Sequence, residues 1–437
     1  MAHQLIVYED AGWRQLLPLV YVRGVFQLLC GSCDLLTRVR RLSESEYDAA
    51  GNGRSNRPGL WCRPLLADVI GQQTGLATNG ELSEPSLLLN GRGIWHSFPQ
   101  IDPGDSAWVG TFGPQGRVAC IVADETLASR LTPEILLDEL QTRAALAGLP
   151  RRDVTPHVTL LDWPWEIVDA NEDVLVSDWN DEQAGVAGTV AEGSYLVNPA
   201  RVHIGWGTRI KPCVVIDAED GPVWIGENVT IFPHSYVQGP AYIGDGCLIQ
   251  PGAVVHAGTT IGPRSKVGGE IEASIIQGFS NKQHDGFLGH SYVGSWVNLA
   301  ADCINSDLKN TYGMIRVPIN GRDVDTGRMF VGMFVGDYSK AGINVSFPTG
   351  AVIGFCSSVF AARSPKFVPS FAWLDGESVQ RYDEQRGLAI ARKVMARRQC
   401  TMSEAEEALF LAVRRQALAV EKQTMLNTHE SPLRPAS

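Results

Sequence analysis

With 437 residues, 44% of them hydrophobic, the chain is long enough for two or three domains and has the composition of an ordinary soluble protein. Its formal net charge of −11 argues against nucleic acid and anionic membranes as main partners. Nine cysteines without a regular framework favour reduced thiols in the cytoplasm over a disulfide-rich secreted protein. The short, acid-capped N-terminus and the lack of a long apolar run predict neither a signal peptide nor a membrane span.

The first part of the chain, residues 1–195, has the pattern of an α/β domain. A buried strand is predicted over Leu5–Asp10, and further strand-like runs follow between Gly, Pro and Asn residues. Residues Thr132–Pro150 predict a helix, because a capping threonine and a first-turn proline open the segment and a glycine closes it. Alternation of strands and helices is typical of an α/β fold.

Aliphatic residues recur at every sixth position in the middle of the chain. The unbroken series is Ile225, Ile231, Val237, Ile243, Ile249, Val255, Ile261 and Val267. A period of six fits neither an α-helix nor a single strand, and it is the signature of a parallel β-helix in which each short strand buries one aliphatic side chain. We therefore predict a β-helix domain over residues 196–368. The period breaks over 268–287 and 305–330, and such interruptions usually map to loops on the rim of a solenoid.

The first interruption gathers polar side chains around glycines. They are Glu270, Glu272, Asn281, Lys282, His284, Asp285, His290 and Asn298. The hexapeptide repeat resembles that of acyltransferases, and this resemblance implies acyl transfer. Acetyl transfer from a thioester to an amine needs a base that works near neutral pH, and histidine suits this role. The reaction also needs hydrogen-bond donors for the tetrahedral oxyanion, a cation for any substrate phosphate and a carboxylate to orient the imidazole. An asparagine or backbone amides could stabilise the oxyanion. Lys282 or Lys309 could bind the phosphate, and Glu270 or Asp285 could orient the imidazole.

Two other interpretations of the histidines stay open. His284 has the features of a solvated loop residue as well as those of a base. Zinc is the competing functional interpretation, since some hexapeptide folds hold a metal with three histidines. His284 and His290 lie six residues apart, however, which places them on successive faces of the prism, where they do not converge on one ion. We expect no metal site here.

The chain after Pro369, residues 369–437, is predicted to be a largely helical C-terminal extension. Ser403 and Glu406 have the spacing of a capping box, and the residues that follow place Leu409 and Val413 on one apolar helix face. This extension is expected to cap the open end of the β-helix or to contact a neighbouring subunit.

The first interruption resembles the acetyltransferase domain of the bifunctional UDP-N-acetylglucosamine diphosphorylase/glucosamine-1-phosphate N-acetyltransferase family. That family carries His-Leu-Thr-Tyr-Leu-Gly, and here the same register reads His284–Gly289. The family's following Val-Asn-Ile-Gly-Ala corresponds, without a gap, to Val297–Ala301. The longer string 280–313 and the segment 16–31 are similar to a divergent branch of the family, described as sugar nucleotidyltransferases.

This resemblance implies a left-handed β-helix that uses acetyl-CoA as co-substrate and assembles as a homotrimer, with acetyl-CoA between adjacent prisms. It implies that His284 is the catalytic base and that Asn298 contacts the sugar. By the same register Glu270 is a substrate-site residue, and Ala301 lies beside the acetyl-CoA. Two positions depart from the family pattern. Phe287 replaces a tyrosine, and Glu272 replaces a phosphate-binding lysine, which reverses a charge in the acceptor site.

In the N-terminal half the resemblance is to the nucleotidyltransferase domain, and there the chain lacks one family feature. Family members follow the first strand with a Gly-rich loop and a lysine, whose amides and charge hold the nucleotide phosphates. No such loop follows Asp10. Arg14 and Arg23 are the remaining candidates for nucleotide phosphate, and Asp10 and Asp124 are candidates by position for Mg²⁺.

The leading interpretation is a cytoplasmic N-acetyltransferase acting on an amino sugar phosphate, with uridylyl transfer from UTP to give UDP-N-acetylglucosamine as a possible second activity. One alternative is a sugar-1-phosphate nucleotidyltransferase whose β-helix is only structural or regulatory. Another is a non-catalytic sugar-nucleotide-binding or scaffold protein. The missing Gly-rich loop favours that last alternative for the N-terminal half, whereas His284 and Asn298 argue against it for the C-terminal half.

Overall fold

The chain divides into two compact units in the computed structural model. The model describes residues 3–50, 57–102, 105–376 and 378–427. Within these residues, the first unit comprises 3–16, 22–28 and 33–162, and the second comprises 17–21, 29–32 and the chain from 163 onward. The domain boundaries predicted after residues 195 and 368 stay predictions.

A six-stranded mixed sheet forms the centre of the first unit. From edge to edge its strands are Gly59–Trp61, Gln4–Tyr8, Ser86–Asn90, Arg117–Ala123, Trp108–Phe112 and Arg151–Asp153. The first three run parallel, and the fourth runs antiparallel to both of its neighbours. Every residue of Ser86–Asn90 is buried, as expected for a strand covered on both faces. The predicted α/β class is confirmed.

Five α-helices accompany this sheet in the described part of the first unit. They are Leu35–Ala50, Ala67–Thr74, Glu125–Ala128, Pro133–Leu136 and Glu139–Ala145. The single helix predicted over Thr132–Pro150 is wrong in one respect, since two short helices take its place. Thr132 caps the first as predicted, but Asp138 is extended and its carboxylate accepts the amide of Gln141 at 2.9 Å. This second N-cap starts a new helix.

The second unit is built around a left-handed parallel β-helix, which confirms the predicted fold. Three sheets form its faces. The strands of the first sheet are Gly185–Val186, Val202–Ile204, Val223–Ile225, Ala241–Ile243, Thr259–Ile261, Ile275–Ile276, Tyr292–Val293, Met333–Val335, Ala351–Ile353 and Phe367–Val368. The strands of the second sheet are Thr189–Val190, Arg209–Ile210, Thr230–Ile231, Leu248–Ile249, Lys266–Val267, Asn281–Lys282, Asn298–Leu299, Lys340–Ala341, Ser358–Val359, Ala372–Asp375 and Ser378–Arg381. The strands of the third sheet are Tyr195–Val197, Val215–Asp217, Tyr236–Gln238, Val254–Val255, Glu270–Glu272 and Phe287–Gly289.

The six-residue series forms the core of this β-helix. All eight aliphatic residues of the unbroken series have no exposed surface. Each stacks on its equivalent one coil away, as in the register pairs of Ile231 with Ile249 and of Ile249 with Val267. A buried side chain of this size contributes roughly 1.5–3 kcal/mol. The repeat therefore holds the prism together coil by coil.

The two interruptions of the repeat differ in structure. The first is not the rim loop that we predicted, because the coil continues through the strands Glu270–Glu272 and Asn281–Lys282. The second interruption is an inserted arm, which contains the antiparallel hairpin of Arg316–Ile319 with Arg322–Asp325. A loop prediction is thus confirmed for the second interruption alone.

Two helices follow the last coil, Glu384–Ala396 and Glu404–Asn427. The predicted capping box is present, since the amide of Ser403 donates to Glu406 Oε2 at 2.8 Å and the amide of Glu406 donates to Ser403 Oγ at 3.2 Å. Phe410 of the second helix is buried against Phe355, with ring centres 5.0 Å apart. Among the described residues, no helix combines the length and the apolar character that crossing a membrane requires.

Segments from early in the chain also belong to the second unit. The hydroxyl of Tyr21 donates to Glu421 Oε1 at 2.9 Å. The amide of Gly31 donates at 2.7 Å to Asn171, which lies on the helix Pro164–Asp178. These segments are therefore tied to parts of the chain that lie far away in sequence.

Candidate active site

His284 lies at the corner between the second and third sheets, just after the strand Asn281–Lys282. It is exposed, and no hydrogen bond to its imidazole is found within the described residues. Three residues later the chain enters the third sheet at Phe287, whose register partner is Glu270. This corner thus carries an accessible imidazole beside two positions of the predicted acceptor site.

Ala301 occupies the equivalent corner of the next coil. The amide of Asp302 donates to the carbonyl of Asp285 at 3.0 Å, which fixes the two corners in register. Asn298 begins the lower coil's strand and pairs with Asn281 above it. The predicted base and the predicted acetyl-CoA neighbour are therefore stacked on consecutive coils, and the predicted sugar contact lies on the adjoining face.

Asn298 belongs to a short chain of polar contacts on the outer face of the second sheet. Asn281 Nδ2 donates to Asn298 Oδ1 at 3.2 Å, and Arg398 donates to Asn281 Oδ1 at 2.5 Å. Arg398 also donates to the backbone carbonyl of Arg264 at 2.9 Å. The turn between the two C-terminal helices thereby contacts the face that carries Asn298.

Lys282 points into the prism, which corrects its predicted role as a phosphate ligand. Only 2% of the residue is exposed, and its register partner Val267 belongs to the core. The ammonium donates to the backbone carbonyls of Gly268 at 2.9 Å and His284 at 2.8 Å. Burial lowers the pKa of Lys282 to about 8. In this arrangement the ammonium has no access to a substrate phosphate.

Lys309, the other predicted phosphate ligand, lies in the inserted arm. Its ammonium donates to the carbonyl of Met314 at 2.5 Å and so closes a turn of that arm. No described contact joins Lys309 to His284 or Glu270, and the structure does not bring these residues together.

Glu270 pairs with a histidine that the sequence analysis left aside. His256 Nε2 lies 3.1 Å from Glu270 Oε1 on the outer face of the third sheet. The side chains of both residues are partly exposed, at 32% for His256 and 51% for Glu270. Glu272 lies on the same strand as Glu270, so this face carries two carboxylates beside one imidazole. It is a surface suited to an amine and poorly suited to an anion.

A second carboxylate–imidazole pair lies at the next corner of the prism. His290 Nδ1 and Asp307 Oδ2 are 2.8 Å apart, and the rings of His290 and Phe330 are stacked with their centres 5.1 Å apart. Asn305 fixes the neighbouring backbone, since its amide group both accepts from the Gly289 amide at 3.0 Å and donates to the Gly289 carbonyl at 2.9 Å. His290 is therefore held rigidly, in contrast to His284.

Both pairs escaped the sequence analysis, although a signal was available. Residues one coil apart stand side by side, and coils here advance by 17 residues from Asn281 to Asn298 and from His290 to Asp307. His256 and Glu270 are 14 residues apart because they contact diagonally: the coil advances here by 16 residues, from Val254 to its register partner Glu270. A search for histidines and carboxylates at one-coil spacing would have found the pair of His290 with Asp307 and missed that of His256 with Glu270.

In the first unit, the carboxyl ends of the parallel strands carry a buried ion pair. Arg63 Nε lies 3.0 Å from Glu9 Oε2, with 6% and 0% of the two side chains exposed. Glu9 also accepts the backbone amides of Val25 at 3.0 Å and of Arg63 at 2.9 Å. Arg63 further donates to the carbonyl of Arg23, a buried residue. These groups satisfy one another at the sheet edge where α/β folds commonly bind nucleotides.

Asp10 does not offer the free carboxylate that a Mg²⁺ ligand requires. Both of its oxygens accept from Arg92, at 2.8 and 2.6 Å, and Asn90 also donates to it at 2.9 Å. Burial raises the pKa of Asp10, but the charge and hydrogen bonds of Arg92 outweigh that effect and hold the pKa below its ordinary value. Arg92 also pairs with Asp162 at 2.6 Å.

The other predicted nucleotide-site residues are also accounted for by local structure. Asp124 is an N-cap, since its carboxylate accepts the amide of Leu127 at 2.8 Å. Arg14 is exposed, with its guanidinium 4.9 Å from the ring centre of Trp13. Across the described ranges, no group of three or more His, Cys, Asp or Glu side chains is arranged to hold a metal ion. Both predicted Mg²⁺ ligands, Asp10 and Asp124, are thus engaged by neighbouring groups of the protein.

Comparisons with known proteins agree with this two-part organisation. The sugar nucleotidyl transferase family model matches residues 5–185, and the bacterial transferase hexapeptide model matches residues 222–257 and 240–270. A bifunctional sugar-1-phosphate nucleotidylyltransferase/acetyltransferase of Sulfurisphaera tokodaii is 30% identical over 142 residues, which are 32% of this chain and 35% of that protein. A bifunctional protein GlmU of Acidithiobacillus ferrooxidans is 33% identical over 163 residues, 36% of this chain and 32% of that protein.

Among solved structures, the Arabidopsis UDP-N-acetylglucosamine acyltransferase is matched over 56% of this chain and 99% of that chain, with 14% identity and a TM-score of 0.26. The matched stretches span about a third of the length of the two curated relatives. A sugar nucleotidyl transferase domain thus precedes a hexapeptide-repeat β-helix in this chain. Over about a third of its length the chain is similar to bifunctional sugar-1-phosphate nucleotidylyltransferase/acetyltransferases.

Proposed function

We propose that the chain is an N-acetyltransferase that moves the acetyl group of acetyl-CoA onto the amine of an amino sugar, with His284 as the general base. The observation that carries this proposal is the corner where His284, an exposed residue, lies one coil above Ala301 and one coil from the strand of Asn298. Similarity to bifunctional nucleotidylyltransferase/acetyltransferases supports the reaction class, and the register supports the three residues.

In the proposed reaction the amine nitrogen attacks the thioester carbonyl carbon, and a carbon–nitrogen bond forms as the carbonyl becomes an oxyanion. The neutral imidazole of His284 takes the proton that the nitrogen must lose. Collapse of the intermediate breaks the carbon–sulfur bond, and the proton passes to the departing thiolate. The products are the acetylated amine and free coenzyme A.

The charges around the proposed site bear on the identity of the acceptor. Glu270 and Glu272 make the outer face of the third sheet acidic, and both predicted phosphate-binding lysines have other partners. These contacts support an amino sugar whose amine faces the carboxylates. Whether the acceptor also carries a phosphate, as the family resemblance implies, is tested by comparing phosphorylated and unphosphorylated amino sugars.

We further propose a homotrimer in the cytoplasm, with acetyl-CoA bound between neighbouring prisms. His284 and Ala301 lie on an outer corner of the β-helix, where one prism alone covers a ligand on one side only. All nine cysteines are free thiols, which suits a reducing compartment.

A second candidate function is nucleotidyl transfer in the N-terminal unit, favoured by the family model that matches residues 5–185. The ion pairs of Arg63 with Glu9 and of Arg92 with Asp10 weigh against it, because they occupy the charged groups at the sheet edge. A domain that binds a sugar nucleotide without turnover, or that serves as a scaffold, remains the alternative for this unit.

One assay tests both candidates. Purified protein is incubated with acetyl-CoA and a panel of amino sugars with and without a 1-phosphate, and free thiol release is measured. A parallel reaction contains UTP, Mg²⁺ and N-acetylglucosamine 1-phosphate, with pyrophosphate release as the readout. We expect thiol release with at least one amino sugar. Pyrophosphate release without thiol release would assign the activity to the N-terminal unit instead.

A further inference from the structure

A lysine occupies a core position of the β-helix. Lys282 stands where the stack would otherwise place an aliphatic side chain, six residues after Ile276 and six before Leu288, both buried. Its register partner in the coil above is Val267. Burying an ammonium among aliphatic side chains costs free energy unless it finds partners, so this lysine needs a reason to be there.

The reason lies in the length of the corner above it. Only Gly268 and Gly269 separate the strand that ends at Val267 from the strand that begins at Glu270, whereas residues 283–286 fill the same corner one coil below. The corner at residues 268–269 is therefore two residues shorter than the corner at residues 283–286, one coil below. A Cβ atom added to Gly269 would lie 2.9 Å from Lys282 Nζ, so the ammonium sits directly beneath this glycine.

The ammonium links the two corners. It donates to the carbonyl of Gly268 in the short corner and to the carbonyl of His284 in the long one, at 2.9 and 2.8 Å. Two acceptors match the two N–H groups that a neutral amine retains, so the contacts survive deprotonation. The imidazole of His284 has no hydrogen-bond partner in the described residues, and its place therefore depends on its backbone.

We propose that Lys282 is a positioning residue, which clamps the His284 backbone to the coil above and so holds the imidazole at the acceptor site. This inference rests on the proposed role of His284 as the base. The predicted phosphate ligand thus acts from inside the prism, through the residue that carries the chemistry. The position of the base affects the rate strongly, because a misplacement of about 1 Å can cost roughly 10²-fold in rate.

The test uses Lys282→Met, which keeps the length of the side chain and removes the ammonium. We expect kcat for acetyl transfer to fall roughly 10- to 100-fold with KM for acetyl-CoA little changed, while the melting temperature stays equal or rises. In the His284→Ala background the same substitution should add no further loss, because Lys282 acts through His284. Lys211→Met, at a partly exposed site early in the β-helix, is the matched control and should leave kcat unchanged.

Amide hydrogen exchange over residues 283–286, measured without substrate, separates this inference from the proposed function. Faster exchange in Lys282→Met supports the clamp even if the wild-type protein shows no acetyl transfer, and that result would count against the proposed function alone. Unchanged exchange overturns the clamp whatever the activity. Multiplicative losses in the double variant also overturn it. If Lys282→Met does not fold, Lys282→Gln keeps an uncharged NH₂ donor on a shorter side chain and should give a smaller change in the same direction.

Discussion

His290 and Asp307 are joined by a hydrogen bond of 2.8 Å between Nδ1 and Oδ2, although they belong to different coils and 17 residues separate them. The link fastens the corner of one coil to the start of the inserted arm, beneath the ring of Phe330. Both side chains are partly buried, with 23% and 15% exposed. We infer that this pair holds the arm against the prism.

A double-mutant cycle with His290→Ala and Asp307→Ala tests this role. We expect a coupling energy of about 1 kcal/mol, typical of a hydrogen bond that is partly shielded from water. The free energy of unfolding is measured by chemical denaturation for the wild type, both single variants and the double variant. Strictly additive losses would mean that the two residues contribute separately.

The second prediction concerns the identity of the base. His284→Ala should lower kcat for acetyl transfer by roughly 10²–10⁴-fold, as loss of a general base does, with little effect on the melting temperature because the imidazole is exposed. His290→Ala is the comparison, since its imidazole is engaged by Asp307. Steady-state kinetics of thiol release decide. A large loss in His290→Ala alone would transfer the role of base to the His290 corner.

The third prediction concerns pH and stability. Burial lowers the pKa of Lys282 to about 8, below the value of roughly 10.4 expected in the unfolded chain. Between these values the unfolded chain binds more protons than the folded one, so the contribution of Lys282 to stability rises with pH. The gain, on the order of 3 kcal/mol, is complete above the unfolded pKa and absent below pH 8.

Chemical denaturation between pH 7 and 10.5 measures this effect by comparing the wild type with Lys282→Met. The difference in the free energy of unfolding between the two proteins should shift in favour of the wild type as pH rises. Lys211→Met serves again as the control for removing a lysine. A difference that does not vary with pH would show that the buried amine has an ordinary pKa.

The fourth prediction addresses the ion pair of the first unit. Arg63→Met leaves the Glu9 carboxylate buried without its guanidinium and should destabilise the protein by about 3–5 kcal/mol. Glu9→Gln in the same chain should recover part of that loss, because the uncompensated charge is then gone. Thermal and chemical unfolding of the single and double variants provide the measurement. Equal stability of Arg63→Met and wild type would instead leave Arg63 available for a ligand.

The fifth prediction is the assembly state. If acetyl-CoA binds between prisms, the protein should be a trimer at micromolar concentration, and multi-angle light scattering should give three times the mass of one chain. Thiol release should then fall on dilution below the assembly range. A stable monomer with full activity would contradict a site shared between neighbouring copies.

The repeat made the β-helix predictable, since one aliphatic residue every six positions has few other structural explanations. The structure places His284 and Ala301 on equivalent corners of consecutive coils, and the roles that the family register implies for them stay predictions. The prediction that Lys282 binds phosphate was wrong, because this charged residue occupies a core position of the β-helix and does not lie in a loop. The contacts that satisfy its ammonium come from backbone carbonyls, and no side-chain pattern reports on these.

The N-terminal unit was predictable only in class. Alternating strands and helices indicated an α/β fold, but nothing in the spacing of Glu9 and Arg63, 54 residues apart, showed that they pair. The sequence pointed to Arg14 and Arg23 as phosphate ligands and did not single out Arg63. The groups that Arg63 contacts come from separate parts of the chain, which only the folded sheet brings together.

The contact of Tyr21 with Glu421 has a consequence for how the protein is made. The two residues are 400 positions apart, so the hydroxyl of Tyr21 leaves the ribosome long before its acceptor has been synthesised. Leu29, whose amide donates to the hydroxyl of Tyr292 at 2.9 Å, is likewise synthesised long before its partner, which lies 263 residues later. The apolar stretch around them stays without these native partners during most of translation, when exposed hydrophobic surface is prone to aggregation. Slow synthesis or C-terminal truncation should therefore harm the solubility of this chain more than the stability of its β-helix alone suggests.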